Sequence, residues 1–403
     1  MIGNVPNGWR VEKLKDITEF LTCGVAKRPE YVEKEIGIPF LSSKNAKTNR
    51  MILDDYNCVS KEDYEILTKY YKPQRGDILY TRVGSFGEAV VVNVDFDFAV
   101  FVSLTIMRVK SNIVNNHYIS NILNSPLIKQ LANEKARGIG VKNLNVSDVR
   151  NFNIPIPPLP QQEKIVKVLD ISSLLIEKQK ELIADYDLFL KSKFIEMFGD
   201  PIKNPMGWEV EKLDNFTTLV SSGSTPKGGQ SSYLDEGEIR FIRSQNVRMN
   251  EMDYDGIYYI SDEVYTKMKR SQVKFNDVLL NITGASIGRT AIYKDTTRAN
   301  VNQHVCIIRL TEELNNEYLS FMISIDSFQN QIISNQSGAT REALNYSQIK
   351  KFNIQYPPIE LQNKFAQIVE KIETIKNQET QKLEHLETLH KSLMDKAFKG
   401  EVI

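Results

Sequence analysis

Gly8-Trp9-Arg10-Val11-Glu12-Lys13-Leu14 returns later in the chain as Gly207-Trp208-Glu209-Val210-Glu211-Lys212-Leu213. Six of the seven residues match, and the only two tryptophans occupy the same repeat position. A second pair closes each repeat: Asn151-Phe152-Asn153-Ile154-Pro155-Ile156-Pro157-Pro158 and Lys351-Phe352-Asn353-Ile354-Gln355-Tyr356-Pro357-Pro358. Between them lie weaker echoes. Gly76-Asp77-Ile78-Leu79 faces Asn276-Asp277-Val278-Leu279, and Gly84-Ser85-Phe86-Gly87 faces Gly284-Ala285-Ser286-Ile287-Gly288. A constant offset near 200, with one-residue slips at loops, marks duplication of a whole domain.

Each repeat has two parts. Residues 1–155 and 201–355 read as two similar globular domains of mixed α/β character. Short β-rich runs such as Asp77–Tyr80, Ala89–Val92 and Val305–Ile308 are broken by Gly and Asn. Helical stretches run from His117 to Leu131 and from Glu317 to Ile333. Residues 156–200 and 356–403 differ. After Pro157-Pro158-Leu159-Pro160 and Pro357-Pro358 each continues for five heptads without Gly or Pro, with apolar residues three and four apart. Each predicts a helix ~54 Å long at ~1.5 Å per residue. A stripe that long is buried most economically by pairing the two helices as an antiparallel coiled coil between the domains. Ile165, Val168, Leu175, Leu182 and Leu190 are expected at this seam, against Phe365, Ile368, Ile372, Leu386 and Leu393. Ser172, Gln179 and Glu379 interrupt it with polar groups. The tryptophans are expected in the cores, and His385 and His390 on a solvated helix face.

The composition is that of a globular chain: 403 residues, 41% hydrophobic and 25% charged. No apolar run reaches the ~20 residues of a membrane helix. The start of the chain lacks the features of a secretory signal, so a cytoplasmic location is expected. Cys23, Cys58 and Cys306 are scattered and have no metal-ligand spacing. Net charge is zero. Residues 1–155 carry 21 Lys/Arg against 17 Asp/Glu, and residues 201–355 carry 17 against 18. A nucleic-acid binder of this balance would rely on local patches or on a charged partner. There is no phosphate loop, no dinucleotide fingerprint, no amino-methyltransferase motif and no paired catalytic carboxylates. No catalytic residue, metal site or cofactor is expected.

Taken together these marks resemble the specificity subunit of type I restriction-modification systems. The resemblance rests on the Gly-Trp-x-x-x-x-Leu opener, the Gly-Asp-Ile-Leu strand with its glycine hairpin, and the segment Ile154-Pro155-Ile156-Pro157-Pro158-Leu159-Pro160-Gln161-Gln162-Glu163-Lys164-Ile165. It rests also on Lys193-Phe194-Ile195-Glu196-Met197-Phe198-Gly199-Asp200-Pro201, and it covers the whole chain. The second copy departs at Ile354-Gln355-Tyr356-Pro357-Pro358-Ile359-Glu360-Leu361-Gln362, which lacks the first proline. The resemblance implies a non-catalytic subunit with two target-recognition domains that read a bipartite double-stranded DNA site. It implies spacer helices that dock two methyltransferase subunits, and a restriction/translocase subunit that can join. The rival reading is a protein-interaction scaffold with a coiled-coil spacer and no preference for DNA.

Reading bases calls for Arg or Lys at guanine and Asn or Gln at adenine. The richest polar segments at matching positions are Ser42–Lys47 and Arg243–Arg248, each following a short apolar strand. They nominate Lys44, Asn45, Lys47, Arg243, Gln245, Asn246 and Arg248 as DNA contacts. The glycine hairpins add Arg82 and Ser85 in the first copy, and Asn281, Thr283 and Arg289 in the second. A third set precedes the long helices: Arg137, Lys142 and Arg341.

Overall fold

The computed structural model describes residues 5–26, 29–84, 86–138, 142–334 and 343–401. The chain forms two compact units. One is Met1–Lys180 with Gln381–Ile403, and the other is Glu181–Thr380. Each unit therefore holds one globular domain, the first half of one long helix and the second half of the other.

In the first unit a four-stranded antiparallel sheet runs in the order Thr18–Cys23, Leu104–Val109, Ile78–Thr81, Ala89–Val91. The second unit repeats it as Thr217–Ser222, Val305–Leu310, Val278–Asn281, Thr290–Ile292. Both faces of this sheet are covered. Ile78 and Tyr80 point into a core made with the helices, whereas Leu79 points into a core made with a second sheet. Val278 and Leu280 against Leu279 repeat the split. Side chains alternate faces along a strand. A sheet buried on both sides thus reads as an unbroken apolar run, here Ile78-Leu79-Tyr80 and Val278-Leu279-Leu280.

The second sheet contains a parallel pair in each copy, Ile38–Leu41 with Ala99–Val100 and Arg240–Ile242 with Ala299–Val301. A two-stranded ribbon then ties the start of each domain to its end: Arg10–Lys13 with Asn153–Ile156, and Val210–Lys212 with Asn353–Gln355. The helical stretches expected from the sequence are each two helices. Asn116–Leu123 and Pro126–Lys135 part at Ser125, whose hydroxyl caps the second helix, with Pro126 in its first turn. Asn316–Ser324 and Asp326–Ser334 repeat the break.

The long helices are Leu159–Phe198, of 40 residues, and Ile359–Lys399, of 41. Each ends where a glycine takes a positive φ, Gly199 at 79° and Gly400 at 76°. Their entry is stapled to the sheet by one side chain per copy. Gln162 is fully buried; its Oε1 accepts from Asn115 N at 2.8 Å and its Nε2 donates to Pro157 O at 2.8 Å. Gln362 does the same with Asn315 N and Pro357 O. This is the physical reason for a glutamine four residues after the Pro-Pro pair.

Within each unit the helix halves run antiparallel. In the first, Ser172 Oγ lies 2.7 Å from His390 Nδ1, Lys180 pairs with Glu387 at 2.6 Å, and Ile165 and Leu169 share a core with Met394, Ala397 and Phe398. In the second, Asp187 pairs with Lys376 at 2.7 Å, and Phe194 and Phe198 pack on Phe365 at 5.4 and 5.6 Å between ring centres. Two seam expectations are corrected: Leu175 and Leu182 are 50% and 40% exposed. Stepping by three and four from Ile165 through Leu169 and Ser172 reaches Ile176, Gln179, Ile183, Tyr186 and Leu190, one position beyond each. Ile165, Leu190 and Phe365 are buried, and Val168, Ile368, Ile372, Leu386 and Leu393 are half-buried. His390 is likewise no solvated histidine. It sits half-buried at the seam, where burial pulls its pKa down, while His385 is exposed. Trp9 is in the core, its Nε1 donating to Gln161 at 3.1 Å. Trp208 is only half-buried and donates to Phe198 O at 3.0 Å.

Candidate nucleic-acid interface

The three sets of nominated residues lie far apart in sequence, yet backbone hydrogen bonds gather them at one end of the sheets. In the first unit Ser43 N donates to Ser103 Oγ (3.0 Å), Arg82 N to Ser103 O (3.0 Å) and Leu144 N to Arg82 O (2.9 Å). Arg137 and Asn143 exchange backbone hydrogen bonds at 3.0 and 2.8 Å. Residues 42–47, 82–84, 86–87, 101–103, 137–138 and 142–144 are thus tied together. In the second unit Asn302 N donates to Ile242 O, Ile282 N to His304 O and Leu344 N to Ile282 O. Those bonds gather 243–248, 281–289, 302–304 and 343–344. Ser85 and Arg341 lie outside the described residues.

Four nominated residues serve the scaffold of this surface. Asn45 is buried; its Oδ1 accepts from Ser42 N at 2.9 Å and its Nδ2 donates to Ile52 O and Asp55 O at 2.9 and 2.8 Å. Asn246 is buried in the same way, bonded to Arg243 N at 3.0 Å and Asp253 O at 2.9 Å. Asn281 Nδ2 reaches Ser244 O at 2.8 Å and Val247 O at 3.2 Å, which fixes one loop to the next. Arg82 is buried against Leu144 O (3.1 Å) and Asn143 Oδ1 (3.3 Å). A polar side chain between two loops satisfies backbone groups that would otherwise be stranded. Sequence pattern alone does not separate that role from base reading.

The other nominated residues stay accessible. Lys44 pairs with Asp55 at 2.7 Å and holds that carboxyl below its ordinary pKa. Lys47 reaches Glu88 at 3.9 Å, and Arg248 makes a forked pair with Asp253 at 3.1 Å. Exposed pairs like these contribute little to stability and exchange readily for a phosphate. The Arg243 guanidinium stacks 4.2 Å from the Tyr258 ring centre and donates to Gly256 O at 3.2 Å. Arg137, Lys142 and Arg289 make no side-chain hydrogen bond or ion pair with a described residue; Gln245 is exposed. Thr283 Oγ1 lies 2.6 Å from His304 Nδ1.

Sequence reasoning missed Arg50, exposed on the Ala46–Met51 hairpin, and the pair Gln303-His304. Their only signal was position beside loops that already looked polar. Among the described residues no cluster of His, Cys, Asp and Glu could hold a metal, and no helix is long and apolar enough to cross a membrane.

A family model described as the type I restriction modification DNA specificity domain matches residues 6–184 and again 205–387. The chain is 22% identical over 432 residues to the type I restriction enzyme MjaIX specificity subunit of Methanocaldococcus jannaschii, covering 100% of this chain and 95% of that one. It is 24% identical over 308 residues to the EcoBI specificity subunit of Escherichia coli, covering 67% of this chain and 62% of that one. A chain of a type I restriction-modification system, solved to explain its complex assembly and conformational transition, shares the fold. Its TM-score is 0.62 at 17% identity, over 99% of this chain and 100% of that one.

Two related domains, each gathering variable polar loops above a matched scaffold and packed on long paired helices, define a tandem target-recognition protein. The chain belongs to the type I restriction-modification DNA specificity family, with two recognition domains in tandem. It is a specificity subunit, the recognition component rather than the catalytic one, of systems that also contain methyltransferase and restriction subunits.

Proposed function

We propose that this chain reads a bipartite double-stranded DNA target, one half-site per domain, and docks two methyltransferase subunits on its long helices. A restriction/translocase subunit joins the same complex, which works on DNA in the cytoplasm. The observation that carries this reading is the gathering of three separate polar segments onto one surface in each domain. The antiparallel sheet beneath has one strand order in both copies, braced alike by Asn45 and Asn246, while the loops differ. Lys44, Lys47, Lys142 and Arg137 contact phosphates, and Arg243, Gln245, Arg248, Thr283 and Arg289 lie near base edges. Docking is supported by apolar side chains left exposed on the central helix: Ile171, Leu174 and Leu175 in the first unit, and Leu188, Phe189 and Ile195 in the second. Each is about half exposed, so covering one contributes roughly 1 kcal/mol.

Methylome sequencing of the host with and without the gene tests the reading. The expected result is a split motif, methylated on both strands, that vanishes on deletion. Replacing residues 14–152 with those of another family member should change one half of the motif and leave the other. An unsplit motif, or a methylome indifferent to the deletion, defeats the proposal.

A further inference from the structure

The two domains carry different residues in the three-residue connection that joins strands Ala99–Val100 and Leu104–Val109 in the first copy and Ala299–Val301 and Val305–Leu310 in the second. In the first copy Phe101-Val102-Ser103 makes the connection and in the second Asn302-Gln303-His304; Phe101 N and Asn302 N donate to the matching carbonyls of Leu41 and Ile242, so Gln303 stands where the first copy has Val102. Ser103 is buried and serves the scaffold, accepting from Ser43 N. Gln303 stands exposed with its amide held on two sides. Thr225 Oγ1 donates to its Oε1 at 2.7 Å, and its Nε2 lies 3.1 Å from His304 Nε2. His304 is fixed in turn: its Nδ1 lies 2.6 Å from Thr283 Oγ1, and its backbone N–H donates to Asn302 Oδ1 at 3.0 Å.

An amide nitrogen only donates, so His304 Nε2 accepts and Nδ1 carries the proton directed at Thr283. Turning the amide over exchanges the roles of Thr225 and His304 and keeps both bonds. In either setting the exposed amide keeps one N–H and one carbonyl lone pair beyond those two bonds. That is the donor–acceptor pair complementary to the N6/N7 edge of adenine. A phosphate offers only acceptors and would repel the carbonyl, so the pair is ill suited to the DNA backbone. Holding the amide in advance removes the rotamer freedom a glutamine would otherwise lose on binding.

We infer that Gln303 is a base-reading residue of the second domain, selective for adenine in the major groove, with Thr225, His304 and Thr283 as its positioning residues. This rests on the DNA-reading function proposed above. The test uses the native complex recovered through a tag on this chain, presented with a randomised double-stranded DNA library. The wild-type complex should enrich a motif with adenine at one position of the second half-site. Gln303→Ala and Gln303→Glu should lower the preference at that base pair about tenfold or more and leave the other half-site unchanged. Gln303→Glu keeps the side-chain length but puts an acceptor where the N–H was. Thr225→Val should weaken the same preference, and Thr225→Ser should restore it. Unchanged selection by both Gln303 variants overturns the inference, as does an equal loss of affinity for every sequence, which marks a backbone contact. A wild-type complex with no sequence preference defeats the proposed function itself.

Discussion

A methyl group added to Gly223 would meet the carbonyl oxygen of Val301 at 1.6 Å, and one added to Gly24 would meet that of Val100 at 2.0 Å. The two glycines hold the same place in the two copies, where the first sheet's edge strand crosses onto the second sheet. Backbone cannot retreat there without breaking the parallel pair beside it, so Gly223→Ala should destabilise the second unit by on the order of 3 kcal/mol. Thermal melting measures this, and an unchanged midpoint would show that the strand end is free to move. Neither glycine stands out in the sequence. Gly24 and Gly223 follow unremarkable Thr/Ser-rich strands, and their necessity arises from a neighbour 76 or 78 residues away, Val100 or Val301. The same limit governs Asn45 and Asn246. Their residue type suits a base contact and a loop brace equally, and only the carbonyls around them decide.

At the scale of the helices, the apolar pattern was legible in kind but not in phase. Leu175-Ile176 and Leu182-Ile183 offer two adjacent apolar residues each, and propensity does not choose between them. Burial chooses Ile176 and Ile183. Leu182→Glu should therefore change stability by under about 0.5 kcal/mol, whereas Leu190→Ala, in the core of the second unit, should remove about 2–5 kcal/mol. Chemical denaturation of both variants measures the contrast, and equal effects would contradict this seam. The polar interruption at Ser172 and His390 adds a pH dependence. Burial holds the His390 pKa below its ordinary 6.5, so the folded state prefers the neutral ring. The stability this imidazole leaves intact is full above pH ~6.5. It is withdrawn as pH falls through the lower folded value, because the unfolded chain binds the proton first. Melting at pH 7.5 and 5.5 should show a larger drop for the wild type than for His390→Asn.

For the whole molecule, duplication was plain from the sequence, because a 200-residue offset survives loop divergence. What the repeat did not reveal is the division of each helix between units. Phe398 packs on Tyr118 at 5.7 Å in the first unit, and Phe198 packs on Tyr318 at 4.8 Å in the second. Each globular core is closed by the far end of the helix that belongs to the other repeat. Periodicity says which face of a helix is apolar, not which domain it completes. Ending the chain at Thr380 should strip Met394, Ala397 and Phe398 from the first core. Residues 5–180 should then lose hydrogen-exchange protection while residues 181–380 keep theirs. Equal protection in both, or loss in both, would refute that division.

The same arrangement sets an order of events during synthesis. Residues 181–380 are contiguous, so the second unit has everything it needs once that stretch has left the ribosome. The first unit must wait for Met394, Ala397 and Phe398, about 240 residues after its last strand ends at Ile156, or roughly 12–48 s at ordinary elongation rates. Of the two units the first is thus the later to mature, and through that interval its unfinished apolar face is a part of the nascent protein that a chaperone would shield.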